Sequence, residues 1–211
     1  VPTESATRAL AILRDPSRFE WHVIPLLALV LYVYANEIER RSWNVVFAGL
    51  AVWGMDWCNE IWNALVFHLT GYAPVWAAPG ATAYLILIGL NVEICLMFAV
   101  AGVVVAKTLP ADPRLRILGL PNRWVLAVAA SVLCVVVEIA LNALGQLTWD
   151  WPWWNARSPW LILVFGYLTF FVVGFWVHDM PTVRGKATTV GAIFAADAVA
   201  LAMFGGWLGW I

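Results

Sequence analysis

The chain has 211 residues, of which 63% are hydrophobic and 12% charged, and its formal net charge is -1. So apolar a composition excludes the ordinary soluble globular class and places the chain among membrane proteins. The near-neutral charge excludes a nucleic-acid-binding surface.

In chain order, residues 3–14 predict a short amphipathic helix lying at the membrane interface and ending before Pro16. No cleavable signal peptide is expected, because the apolar run that follows lacks a small-residue cleavage site. Apolar runs then predict spans from Trp21 to Ile38, Val45 to Leu69, Ala83 to Ala106, Trp124 to Leu147, Trp160 to His178 and Thr188 to Trp210. The expected fold is therefore all-α: a polytopic integral membrane helix bundle of about six transmembrane helices. Residues 1–20 form a tail or interfacial helix, and residues 21–211 a single transmembrane domain. Cys58, Cys95 and Cys134 all fall inside apolar runs, where free thiols packed as small hydrophobes are expected.

Basic residues sort the connections into two sets. Arg40, Arg41, Lys107, Arg114, Arg116, Arg123, Arg184 and Lys186 share one side, which should face the cytoplasm. That places both termini outside, a placement with which the basic tail (Arg8, Arg14, Arg18) conflicts and which a re-entrant first segment would reconcile. The expected location is a bacterial inner (cytoplasmic) membrane. The connections Thr70–Gly80 and Thr148–Ser158 are rich in Trp, Pro and Gly, and Trp149, Trp151, Trp153, Trp154 and Trp160 read as an interfacial aromatic belt rather than as a lid.

An internal likeness points to a duplicated helical hairpin in parallel orientation. Glu60-Ile-Trp-Asn-Ala-Leu65 resembles Glu138-Ile-Ala-Leu-Asn-Ala-Leu144, and Tyr84-Leu-Ile-Leu-Ile88 resembles Trp160-Leu-Ile-Leu-Val164.

Chemistry is concentrated in the acids. Asp56, Glu60, Glu93, Glu138 and Asp197 fall inside predicted spans that contain no Lys or Arg. An ionised acid at the bilayer centre costs about 2.5 to 3.5 kcal/mol on the mildest insertion scale. Asp56 and Glu60 share a helical face that Asn63 extends, with Trp53, Trp57 and Trp62 around it. Cys134, Glu138, Asn142 and Gln146 form an i, i+4 stripe on the fourth span. Such seams should face the bundle interior, since lipid offers no hydrogen-bond partner. Several carboxyls in one dry pocket cannot all ionise, so the cluster should share protons or bind a cation. A plain hydrogen-bonded lattice holding helices together is the bland reading.

No cofactor or metal centre is expected. His22, His68 and His178 do not offer two rings at equal depth for haem, no Glu-x-x-His spacing fits a di-iron bundle, and retinal lacks its lysine. A site for a hard cation stays chemically open.

The layout of acids on successive spans amid Trp and Asn resembles two groups of small helical membrane enzymes, sterol isomerases of the emopamil-binding type and integral membrane terpene cyclases. The resemblance is one of layout, and it implies isomerase-like or cyclase-like chemistry by buried carboxyls. The favoured expectation is an acid–base enzyme acting on an apolar lipid or isoprenoid. Glu60 and Glu138 lead as acid and base, Glu93, Asp56 and Asp197 follow, and Asn63, Asn142, Trp53, Trp57 and Trp62 hold substrate or orient the acids. The alternatives are a proton- or cation-coupled carrier or channel and a non-catalytic subunit of a larger membrane complex. Expected partners are membrane lipids, an apolar small molecule, and either a second copy or other subunits.

Overall fold

The long helix α3 (Trp43–Thr70) is the post on which the other helices lean. The computed structural model describes all 211 residues. α1 (Glu4–Leu10) precedes α2 (Val23–Glu39) and α3, followed by α4 (Val92–Ala106), α5 (Asn122–Ala143), α6 (Thr169–Asp179) and α7 (Val183–Ala200). A π-helical stretch, Ile162–Leu168, leads into α6, and a second, Leu201–Trp207, continues α7. The only strands are the two-residue arms of a hairpin, Arg116–Ile117 and Leu120–Pro121. α3 packs against α4, α6 and α7, while α5 lies against α6 and the π-helical stretch before it.

Three helices are long and apolar enough to cross a membrane: Asn122–Ala143, Ile162–Asp179 and Val183–Trp207. The other expected spans are shorter or more polar. α4 is apolar but has 15 residues, and α2 has 17. α3 has 28 residues, but Asp56, Glu60 and three asparagines dilute its apolar character.

The largest departure from expectation lies in residues 71–91. The apolar run from Ala83 predicts helix, yet the helix begins only at Val92, capped by Asn91 Oδ1 accepting from Ile94 N at 2.8 Å. The segment before it is irregular and buried, with Ala73, Val75, Trp76, Leu85, Leu87 and Leu90 all inside. Pro74 and Pro79 interrupt the ladder a helix would need in the first half of the segment, and from residue 83 on the Leu85 and Ile88 carbonyls accept from Arg14 N and Ala78 N. Backbone pairs with other segments take its place, including the reciprocal bonds of Ala77 with Thr148 at 3.0 and 2.8 Å.

The N-terminal tail is tied to the bundle. α1 spans Glu4–Leu10, shorter than the expected 3–14, and Ala6 and Ala9 are fully buried, so it packs on protein. Thr3 N donates to Tyr72 O at 3.0 Å and Arg14 N to Leu85 O at 2.9 Å. Thr3 Oγ1 donates to Asp150 at 2.7 Å, with Ser5 on the same carboxylate. The tail, the segment 71–91 and the tryptophan-rich segment 144–160 thus gather at one end of the bundle.

The α2–α3, α4–α5 and α6–α7 connections lie at the other end, with most of the basic residues. Here Lys107 pairs with the buried Glu37, and Arg123 grips Asp179 through two bonds of 2.8 Å. Lys186 corrects another expectation. α7 starts five residues before the predicted span, so this lysine falls inside the helix, 1% exposed. Its Nζ donates to Val177 O at 2.9 Å and to His178 O, satisfying carbonyls at the end of α6.

Small residues let the helix backbones meet. A Cβ on Gly102 of α4 would stand 2.8 Å from Val52 Cβ and 2.9 Å from the carbonyl oxygen of Gly49 on α3. Gly102→Ala is therefore expected to lower stability by about 1–3 kcal/mol, read as an earlier unfolding midpoint in detergent. An unchanged midpoint would show that α3 and α4 are free to separate by the width of a methyl group.

Candidate functional site

Glu60 sits on the face of α3 turned toward the irregular segment. Its Oε1 accepts from Trp76 Nε1 at 2.8 Å. Its Oε2 is buried without a partner. Asn63, one turn on, locks Trp76 in place: Nδ2 donates to Trp76 O at 2.8 Å, and Oδ1 accepts from Val75 N at 2.7 Å and Trp76 N at 3.2 Å. Gly89 closes over the group. A Cβ there would fall 2.4 Å from Asn63 Nδ2, 2.6 Å from Trp76 Nε1 and 2.7 Å from Glu60 Oε2, so only glycine lets the chain pass.

Glu138 approaches from α5 and is held differently. Oε1 accepts from Trp149 Nε1 at 2.9 Å and Oε2 from Tyr167 OH at 2.5 Å. Trp154, 2% exposed, lies near the same carboxyl with its Nε1 buried and unpartnered. The Trp76 and Trp154 indoles stack on one another, centroids 5.6 Å apart and planes at 26°.

Tyr167 owes its position to the π-helical stretch, a form common at functional sites. Asn59 Nδ2 on α3 donates to Phe165 O at 3.0 Å and Gly166 O at 3.2 Å, carbonyls within that stretch.

These groups surround a cavity of about 190 Å³. Asp56, Glu60, Glu138 and Tyr167 provide its polar points, Trp76 and Trp154 close it toward the tail end, and the rest of its wall is almost wholly apolar. No Lys or Arg lines it. Phe98 and Phe170 of its wall belong to an apolar core that continues through Val52, Phe171 and Phe175. Glu60 and Glu138 line the same cavity. In so dry a site a single negative charge is costly and two are prohibitive without protons or cations.

The structure divides the expected site residues. Asp56, Glu60 and Glu138 come together on the cavity. Asp197 stands apart from its wall: Oδ1 accepts from Cys58 Sγ at 2.9 Å, and Oδ2, like Asp56 Oδ2, is buried without a partner. Glu93 is a correction. It belongs to the first turn of α4, where it accepts from Thr82 Oγ1 at 2.6 Å and Ala83 N at 2.8 Å and bonds His22 Nε2 at 2.7 Å. It ties the start of α2 to that of α4 and does not reach the cavity.

Asn142 is another correction. Its Nδ2 donates to Leu147 O at 3.0 Å, and the side chain borders a surface depression with Arg157 and Ser158. Trp53, Trp57 and Trp62 leave the lining too. Trp53 Nε1 reaches Cys95 Sγ at 3.3 Å, Trp57 packs beside Ile61 and Leu87, and Trp62 is 44% exposed. Trp149 and Trp154 move the other way, from the expected belt to the ceiling of the site. The cysteines are free thiols, with Cys134 on the cavity wall. No three His, Cys, Asp or Glu side chains converge as ligands of one metal ion would.

Trp76, Trp149, Trp154 and Tyr167 were not anticipated as site residues. For two of them a signal exists: Trp154 follows Trp76 by 78 residues, as Glu138 follows Glu60. Leu69 and Leu147, Thr70 and Thr148, and Pro74 and Pro152 keep the same spacing.

Comparison with known proteins reaches nearly the whole chain. The family described as an uncharacterized membrane protein family matches residues 3–206. The chain belongs to that family. A protein of Archaeoglobus fulgidus, described as an uncharacterized protein, is 56% identical over 211 residues, all of both chains. A second from the same organism, described in the same words, is 55% identical over 53 residues, covering 25% of this chain and 95% of its own. No solved structure matches. Family and apolar helices together make the chain an integral membrane protein. Both relatives are archaeal, so nothing in them supports a specifically bacterial membrane.

Proposed function

We propose that the chain is an intramembrane acid–base enzyme that moves a proton on an apolar lipid or isoprenoid. The observation that carries this reading is the unequal hydrogen bonding of two facing carboxyls. Both oxygens of Glu138 accept bonds, the setting of a carboxylate and a base. Glu60 accepts on one oxygen only, leaving Oε2 as the place for a transferable proton. In this reading Glu60 gives its proton to one carbon of a substrate double bond. The cation left on the neighbouring carbon is stabilised by the faces of Trp76, Trp154 and Phe170. Glu138 removes a proton from the next carbon, which shifts the double bond. Exchange of protons with water between turnovers returns Glu60 to its protonated and Glu138 to its ionised form, with Asp56 beside them, and resets the pair.

The two hairpins α3–α4 and α5–α6 are read as a duplication, each supplying one glutamate and one stacked tryptophan. Helices α2 to α7 then make six crossings of a cytoplasmic membrane, with the basic end inside. The apolar core beneath the cavity weighs against a carrier, which would need a polar route to both sides. The test is incubation of the protein in vesicles with long-chain isoprenoid alkenes in D₂O, followed by mass spectrometry. The expected result is a shifted double bond and one deuterium per turnover. Proton or cation flux across the vesicle without alkene turnover would overturn the reading in favour of a carrier.

A further inference from the structure

The cavity has one soft side. On α4, Ile94, Met97, Phe98 and Ala101 recur at helical spacing and face it, and on α5, Leu133, Cys134, Val137 and Leu141 do the same. Yet α4 and α5 do not pack closely on each other; α4 leans on α2 and α3, and α5 on α6 and the π-helical stretch before it. The wall between them is therefore a seam, and the side chains along it are open to the outside: Leu133 is 63% exposed, Met97 43% and Val137 41%. In an integral membrane protein that outside is hydrocarbon. α5 is also one of the helices long and apolar enough to cross a membrane.

Two further facts constrain what passes through. A cavity of about 190 Å³ is smaller than the roughly 300–1,000 Å³ of pockets that enclose a drug-sized ligand, so it cannot hold a whole lipid. Among the residues that line it, Trp154 Nε1 is a buried donor without a partner, and Glu60 Oε2 and Asp56 Oδ2 are buried acceptors without one. Buried polar atoms in folded proteins are nearly always satisfied, and a hydroxyl is the smallest group that both accepts and donates.

We propose that the α4–α5 seam is a lateral portal through which a long-chain lipid inserts only its oxygen-bearing end, its hydrocarbon tail staying in the bilayer. The oxygen accepts from Trp154 Nε1 and its hydrogen faces the free oxygens of Glu60 or Asp56. This names the substrate class for the acid–base site and rests on that reading for chemistry, although binding does not depend on turnover.

The experiment uses two long-chain alcohols in vesicles with the full protein, one with an alkyl diazirine beside the hydroxyl and one with it at the methyl end. After photolysis the adducts are mapped by mass spectrometry. The hydroxyl-end probe should label cavity residues, Glu60, Cys134 and Glu138 among them, and the methyl-end probe should label Leu133 and Met97 but not the interior. Ala101→Trp should block interior labelling. Trp154→Phe, which keeps an aromatic face but removes the donor, should reduce it roughly three- to tenfold. The Phe variant decides the matter if the Trp variant misfolds. Interior labelling by neither probe, or by the methyl-end probe alone, overturns the proposal, as does labelling that both variants leave unchanged. Interior labelling without alkene turnover would sustain the portal while removing the acid–base reading; turnover without interior labelling would do the reverse.

Discussion

Glu60→Gln is expected to reduce proton transfer to an alkene substrate by about 10² to 10⁴-fold while the protein still folds and inserts. The substitution is nearly isosteric, and its amide oxygen can still accept from Trp76 Nε1, so the ceiling over the site should stay closed. What disappears is the acidic proton on the oxygen that has no other partner. Glu138→Gln should cost a similar factor for a different reason. The amide cannot take up a proton, and its NH₂ must face one of two present donors, Trp149 Nε1 or Tyr167 OH. Because acid and base act as a unit, the double variant should be scarcely worse than either single one. Deuterium incorporation from D₂O by the three variants and the parent protein measures this directly. Parent-level incorporation in Glu60→Gln would remove that residue from the chemistry. Additive losses would mean that the two carboxyls serve separate steps.

The sequence made Glu60 and Glu138 conspicuous because helical periodicity is a local property. An acid inside an apolar run stands out, and its neighbours three and four residues away share its face wherever the helix goes. Glu93 fails by the same logic. Hydropathy carried the third span back to Ala83, placing Glu93 deep within it, whereas the helix starts at Val92 and leaves Glu93 in its first turn. Local hydropathy cannot separate a buried irregular segment from a buried helix, since both exclude water. Asn91 with its capping side chain was the available marker of the later start.

The tryptophans present the converse problem. An indole near a predicted membrane boundary has a favourable place in the interface, and nothing local says that it will turn inward. Trp76 and Trp149 turn in because buried carboxyls wait there as acceptors, each on the helix before it, and Trp154 turns in to stack on Trp76. Only the repeated 78-residue spacing carried that information along the chain. The asparagines divide likewise. Asn63 and Asn142 both follow a glutamate on its helix, but Asn63 faces the irregular segment and organises it, while Asn142 bonds Leu147 O in the connection just after its own helix.

Asn63→Leu should be the most destabilising single change near the site. One fully buried side chain there serves Val75 N, Trp76 N and Trp76 O, and the segment carrying them has no helix of its own to fall back on. Leucine is of similar volume, so the loss is polar rather than a matter of packing. Three buried backbone groups left unsatisfied imply about 3 kcal/mol or more, seen as a lower unfolding midpoint in detergent. Asn63→Asp separates two contributions. It keeps an acceptor for Val75 N and Trp76 N and can donate to Trp76 O only while its carboxyl is protonated; ionised, it loses that donor and adds a charge beside Glu60, so its stability should fall between leucine and the parent only where that carboxyl is protonated. Raising the pH should therefore widen the gap between Asn63→Asp and the parent protein, and leave the gap for Asn63→Leu unchanged. If Asn63→Leu unfolds at the parent midpoint, residues 71–91 are held by their contacts with α1 and residues 144–160 instead. Glu60 would then owe its geometry to the tail end of the bundle rather than to its own helix.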